Sequence, residues 1–454
     1  MMNWKMLLSE QRVGDKKIQS SSFGKLRSEF EIDFDRIIFS QPFRRLQDKT
    51  QVFPLPEMDF VHTRLTHSLE VSSVGRSLGK NVGAQLIQKY PDLEQITPFD
   101  FGAITGAAAL AHDVGNPPFG HSGEDAFSDY FRSNPKAIKI KEAVSEMEWN
   151  DLINFEGNAQ GFRLLVRKKL QGLKLTEATM GAFTKYPRPS VISNKDKSRK
   201  SQKKYGFFQS EKAHFEDIST DLGLIKLSET DNTWCRHPLA FLVEAADDIC
   251  YNIIDLEDSF GLGIVSFEEA KDFLVDIIQD RYRADKLAEI PGKKEKIGVL
   301  RAISIHTLVE QVTAAFIKNE KQILSGEFDR ALTGEIPATK VLDKISSFSI
   351  ERIYRSRQVM EKEAAGFEVI SGLLETFTEA VFLKFYSKNA FTKRHESIYR
   401  LLPSVSKHQL KNDCDTVYES ILTVTDFISG LTDSTALSIF RTINGIAFQG
   451  SRRS

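Results

Sequence analysis

Three cysteines in 454 residues are too few, and too unevenly placed, for a disulfide framework. Cys235, Cys250 and Cys414 show no CxxC spacing and leave one over, which fits a reduced, cytoplasmic protein. Charge of one sign is missing too. With 61 Lys and Arg against 62 Asp and Glu, the bulk charge argues for neither a nucleic-acid-binding protein nor an extreme acidic surface, so any such function must be local. No segment reaches the roughly 18 to 20 continuous apolar residues of a membrane span. The first ten residues lack the apolar run and small-residue cleavage site of an export signal. Strand signals are few, and no internal repeat is visible.

What is present is apolar residue at helical spacing. At 41 % hydrophobic content the chain can bury a sizeable core. Apolar residues recur at three and four through 267–283, 296–318, 350–360 and 364–386, so the expected fold is all-α, an irregular helical globule. At most a short β-hairpin is expected, near 261–266 or 328–338. Further forward, one helix is expected from Phe34 to Lys49 and a Pro-containing loop from Gln51 to Asp59. The next helix carries a core stripe of Val74, Leu78, Val82 and Leu86. Residues 151–170 form another, with Asn158 and Gln160 near its start.

The chain is organised around Ala107 to His121. A run of small apolar residues needs a buried helix, because only close neighbours fill the space such side chains leave. His112 and Asp113 stand at its end, where desolvation is costly unless compensated, and one divalent cation compensates both. Gly115, Pro117 and Pro118 then turn the backbone. Ser122 is expected to cap a following helix, holding His121 and Glu124 beside the same spot. An isolated His-Asp dipeptide is more often a hydrogen-bonded helix end than a ligand pair. Here His67 stands near the start of an upstream helix, and Asp247, Tyr251 and Asp255 follow at four-residue steps on a downstream one. His67, His112, Asp113 and Asp247 make a mixed nitrogen and oxygen set suited to Mn, Mg, Fe or Zn.

The order H…HD…D is the signature of the HD phosphohydrolase superfamily. The chain further resembles the bacterial deoxyguanosine triphosphate triphosphohydrolases and their dNTPase relatives. Six passages carry the likeness: Phe43 to Leu55, His62 to Val71, His112 to His121, Phe155 to Gln160, Phe183 to Pro187, and Glu244 to Asp258. The resemblance implies an HD core over 34–260, an N-terminal arm over 1–33 packing across a neighbour or the outside of the core, and a helical region over 261–454 packed on the core. It implies hydrolysis of a dNTP to deoxynucleoside and tripolyphosphate with a divalent metal, Mn, Mg or Fe. His121 would transfer the proton and Glu124 orient it. Arg64 and Lys185 would meet phosphate, Asn158, Gln160, Tyr186 and Arg45 would reach the nucleotide, Gln51 and Asp255 would hold the 3′-hydroxyl, and Tyr251 would pack on the deoxyribose. Family members form oligomers, and a homo-oligomer, a hexamer by preference, is expected.

The chain departs from the animal branch, which has histidines at the positions of Asn116 and Asn158 and a lysine at that of Asp248. Residues 187–212 carry Lys195, Lys197, Arg199, Lys200, Lys203, Lys204 and Lys212 and read as a mobile basic loop. It is either a solvated linker or a contact for the polyphosphate tail, an effector dNTP or single-stranded DNA. Two rivals stand beside the dNTPase reading: another HD-type nucleotide phosphohydrolase, and a nucleotide-sensing or single-stranded-DNA-binding protein with a degenerate site.

Overall fold

A helix of small residues packs where its neighbours come closest, and Pro98–Ala111 lies at the centre of the molecule. The computed structural model describes residues 1–15, 27–51, 62–167, 172–228, 230–354 and 357–446. Thr97 caps the central helix in a capping box with Asp100, and Pro98 opens it. The long helix Arg64–Lys89 lies against it. A Cβ at Gly79 would come within 2.5 Å of Phe101 O, and one at Gly83 would strike the Phe101 ring. The apolar stripe Val74, Leu78, Val82 and Leu86 is buried as expected. The adjoining glycine stripe, which the hydrophobic pattern does not mark, lets the two backbones approach.

The fold is all-α among the described residues, apart from a two-stranded antiparallel ribbon of Lys226–Ser228 and Thr233–Trp234. That ribbon lies outside both stretches where a hairpin was expected, and the second of them instead holds a short 3₁₀ turn, Leu332–Glu335. Buried apolar residues fall into two clusters. The larger gathers the two helices above, Ala240–Gly261 and Lys293–Ser325. The smaller joins Gly120–Ser133 and Glu146–Ile153 to C-terminal helices that include Arg357–Tyr386, Val417–Ser429 and Asp433–Ile443. No helix of the described residues is long and apolar enough to cross a membrane.

Several local expectations are corrected. The helix expected over 34–49 is instead Glu29–Ile38, then Gln41–Arg44 and a 3₁₀ turn Arg45–Asp48, because Ser40 caps a new start and Pro42 cannot continue the old one. Residues 151–170 are likewise divided, with Glu146–Ile153 ending before Glu156 caps Gly157–Val166. In the N-terminal arm, Met2, Trp4, Leu7 and Leu8 are buried in the larger cluster, and Met2 N donates to Leu324 O at 2.8 Å. Most of the loop expected over 51–59 lies outside the described residues.

The basic stretch 187–212 is packed rather than mobile. Tyr205, Phe207 and Phe208 are buried between its charges. Ser201 N donates to Asp329 Oδ1 at 3.0 Å, Arg199 Nε lies 2.9 Å from Asp329 Oδ2, and Lys200 Nζ lies 3.3 Å from Glu244 Oε1. Aromatic residues anchor it, and acidic partners from distant segments take up the charge of Arg199 and Lys200.

Candidate active site

His112 occupies the C-cap of the central helix, and its Nδ1 donates to Ala109 O at 2.7 Å. That bond turns Nε2 outward, toward Asp247 Oδ1 at 3.5 Å. His67, one turn into its helix, brings Nε2 within 3.3 Å of the same oxygen. One ligand atom from each of His67, His112 and Asp247 lies within 4.8 Å of the others, a cluster able to hold a cation. Two imidazoles and a carboxylate fit a divalent transition metal or magnesium. Burial pushes the His112 pKa down, which favours the neutral ring a metal needs. Burial alone would raise Asp247, but Lys185, His112 and His67 hold it well below the usual carboxylate range.

Asp113, the fourth expected ligand, borders this cluster. Its Oδ1 lies 3.4 Å from His112 Nε2. Both oxygens already accept hydrogen bonds, Oδ2 from Arg64 Nη1 at 2.8 Å and Oδ1 from Asn116 Nδ2 at 2.6 Å. Burial would raise its pKa, yet Arg64 and the two histidines lower it to about 2.

These groups open onto a cavity of about 470 Å³. His121 and Glu124 face it from the start of the helix Gly120–Ser133. Ser122 is not the cap: Phe119 and Gly120 both take φ +62, the helix begins three residues earlier than expected, and His121 falls in its first turn. The His121 side chain is 85 % exposed, so its ring is accessible, with Nδ1 3.3 Å from Glu124 Oε2. The other oxygen of Glu124 accepts from Gly157 N at 2.8 Å. Burial opposes ionisation of Glu124, but the His121 hydrogen bond, Lys204 and the Gly157 amide lower its pKa.

Gln51, Arg64, Asn158, Lys185, Tyr186 and Tyr251 also line the cavity, as expected. Lys185 Nζ donates to Asp247 Oδ2 at 2.6 Å, and Asn158 Nδ2 donates to Glu156 Oε1 at 2.8 Å. Three expected contacts fall elsewhere. Gln160 is fully buried and donates to Asp426 Oδ1 at 2.8 Å, because two residues along a helix turn it about 200° from Asn158. Asp255 is buried and does not line the cavity, since the eight-residue step rotates it about 80° from Asp247. Arg45, beyond the break at Pro42, donates to Gly430 O at 2.9 Å.

Sequence reasoning passed over Lys204 as an individual site residue. It lines the cavity, with Nζ 3.1 Å from Glu156 Oε1 and 3.8 Å from Glu124 Oε2. The basic run was its signal, but the run did not single it out. Thr50, Asn116, Phe119 and Glu363 line the cavity as well.

A buried His-His-Asp cluster at the end of a central helix, beside a cation-lined cavity in an all-α fold, defines a phosphohydrolase scaffold of the HD type. Residues 64–153 match the HD domain family, and residues 335–442 match the phosphohydrolase-associated domain. The chain is 42 % identical over 457 residues to a deoxyguanosinetriphosphate triphosphohydrolase-like protein of Synechocystis sp., covering 98 % of this chain and all of that one. A protein of the same description from Pseudomonas aeruginosa is 37 % identical, over 98 % of this chain and 99 % of its own. A deoxyguanosinetriphosphate triphosphohydrolase of Yersinia enterocolitica is 29 % identical, over 97 % and 98 %. The chain belongs to the deoxyguanosinetriphosphate triphosphohydrolase-like family.

Proposed function

We propose that this chain is a metal-dependent dNTP triphosphohydrolase that breaks the bond between the 5′-oxygen and the α-phosphorus, releasing a deoxynucleoside and tripolyphosphate. The observation that carries the reading is one cavity holding the His67, His112 and Asp247 cluster, the His121 and Glu124 pair, and the cations Arg64, Lys185 and Lys204. A bound divalent ion, Mn, Mg or Fe, would supply Lewis-acid charge neutralisation and a water of lowered pKa.

The chain's own groups do the rest. Lys185, Arg64 and Lys204 present ammonium and guanidinium groups to the polyphosphate, giving up carboxylate partners as phosphate oxygens arrive. His121 Nδ1 faces Glu124, so Nε2 delivers a proton to the departing 5′-oxygen as water oxygen bonds to the α-phosphorus. Glu124 orients the ring and stabilises its charged form. Tyr251 packs on the deoxyribose and Gln51, whose buried Oε1 has no hydrogen-bond partner among the described residues, takes the 3′-hydroxyl.

The protein is assigned to the cytoplasm and to a homo-oligomer, a hexamer by preference, which light scattering at micromolar concentration tests. Incubation with each dNTP in Mn or Mg, followed by separation of the phosphate products, tests the activity. Tripolyphosphate supports the reading, and pyrophosphate or orthophosphate alone overturns it.

A further inference from the structure

The cavity wall is held from behind by the C-terminal region. Asp433, 1 % exposed, is the first residue of the helix Asp433–Ile443. Its Oδ1 accepts from Phe119 N at 3.0 Å, and its Oδ2 accepts from Thr50 N at 3.0 Å and from the Thr50 hydroxyl. One carboxylate therefore ties two cavity-lining segments together. They are the strand of chain at Thr50–Gln51 and the turn that launches His121. Both segments line the cavity, but Asp433 itself does not.

The Phe119 end of this tie is where backbone conformation matters most. Phe119 is a non-glycine residue at φ +62, a region disfavoured for a side chain bearing a Cβ. It persists only if its surroundings fix it. The Phe119 ring fills the space over Gly366, where a Cβ would lie 2.6 Å from its Cγ, and the Phe119 amide is held by Asp433. Two residues on, His121 stands exposed, and among the described residues its ring is held by a 3.3 Å contact to Glu124. Its position is thus inherited from the turn. Lys49 supports the same junction, donating from Nζ to Asn116 O at 2.6 Å and Ser429 O at 2.7 Å.

We propose that Asp433 is a positioning residue for the reaction, holding the Phe119 turn so that His121 is delivered to the leaving group. This rests on the reading of His121 as the proton donor. It makes the C-terminal region part of the active site's geometry, although none of the expected chemistry lies in it. Through its Phe119 end this contact controls rate, and through its Thr50 end it neighbours Gln51, so kcat responds more than KM, and bound metal not at all.

The test uses the full-length protein with Asp433→Asn, Thr50→Val, His121→Ala and, as a control, Ser434→Ala. Ser434 neighbours Asp433 on the same helix and donates to Asp48 Oδ1, away from the turn. Asparagine offers one acceptor oxygen to a carboxylate site that receives Phe119 N, Thr50 N and the Thr50 hydroxyl, so it cannot hold both ends of the tie. Asp433→Asn should lower kcat about 10- to 100-fold, the scale of a displacement near 1 Å, with bound metal unchanged and KM, reached only through Gln51 beside Thr50, changed by a smaller factor. Thr50→Val should lower it less, and Ser434→Ala not at all. The His121 imidazole resonance in ¹⁵N-histidine-labelled protein, identified by its loss in His121→Ala, should move in Asp433→Asn and Thr50→Val alone.

Wild-type kcat and an unmoved resonance in Asp433→Asn would overturn the proposal, as would equal losses in Ser434→Ala. Should Asp433→Asn not fold, Thr50→Val decides: a moved resonance with lowered kcat supports the tie, and an unmoved one removes it. Failure of the His121 reading is distinct, since His121→Ala would then keep wild-type turnover whatever the resonance does.

Discussion

Lys185 Nζ donates to Asp247 Oδ2 at 2.6 Å, while Asp247 Oδ1 lies 3.3 Å from His67 Nε2 and 3.5 Å from His112 Nε2. One carboxylate thus faces the two imidazoles of the candidate metal cluster with one oxygen and Lys185, the proposed phosphate contact, with the other. Asp247→Ala should lose both bound metal and turnover. Lys185→Met should keep the metal but raise the Kd of a non-hydrolysable dNTP analogue about 10- to 100-fold, the worth of one charged hydrogen bond. Metal content beside titration of the analogue separates the two, and an Asp247→Ala protein with normal metal and activity would break the cluster.

The pair His121 and Glu124 should act as one unit. His121→Ala should retain metal and still bind dNTP, with kcat lowered by about 10² to 10⁴, the usual range for losing a placed acid or base. Glu124→Ala acts on the same step, so the double variant should be scarcely slower than His121→Ala alone. Single-turnover rates check this. Loss of metal in His121→Ala would make it a ligand, and additive losses would separate the two residues.

His62 gives a pH dependence of stability. Its Nδ1 lies 2.7 Å from Asp258 Oδ1 and its Nε2 lies 3.2 Å from Glu70 Oε1. The hydrogen bonds to Asp258 and Glu70, against burial, raise its pKa from 6.5 to about 10. Because the folded value is the higher, the stabilisation is full below the unfolded pKa and is lost as pH rises through about 10. The gap in thermal midpoint between the wild type and His62→Gln should be widest near about pH 6 and narrow toward about pH 10. A gap independent of pH would contradict the ion pairs.

Close helix packing is tested at Gly79. A Cβ there would meet Thr105 Oγ1 at 2.1 Å, which can rotate away, and Phe101 O at 2.5 Å, which cannot. Gly79→Ala should cost about 1–3 kcal/mol, the usual range for overpacking, seen as a lowered thermal midpoint with metal binding retained below it.

The local pattern made most of the site legible. The run Ala107–Ala111 before His112 marked a buried helix with the candidate metal cluster at its end, and helical steps from Asp247 to Tyr251 kept both at the cavity. The same arithmetic carried too far fails at Asp255, where the drift of a 3.6-residue turn accumulates. What stayed hidden depends on partners distant in sequence. The order of 187–212 comes from Asp329 and Glu244, so its composition alone read as a loose loop. Phe119 takes a left-handed conformation that no residue type at that position announces, and its support, Asp433, lies 314 residues away.

Hydrolysis of one dNTP in ¹⁸O-water, with mass analysis of both products, tests the central claim most directly. Attack at the α-phosphorus predicts a single ¹⁸O in tripolyphosphate and none in the deoxynucleoside. Label in the deoxynucleoside, or pyrophosphate in place of tripolyphosphate, would contradict it.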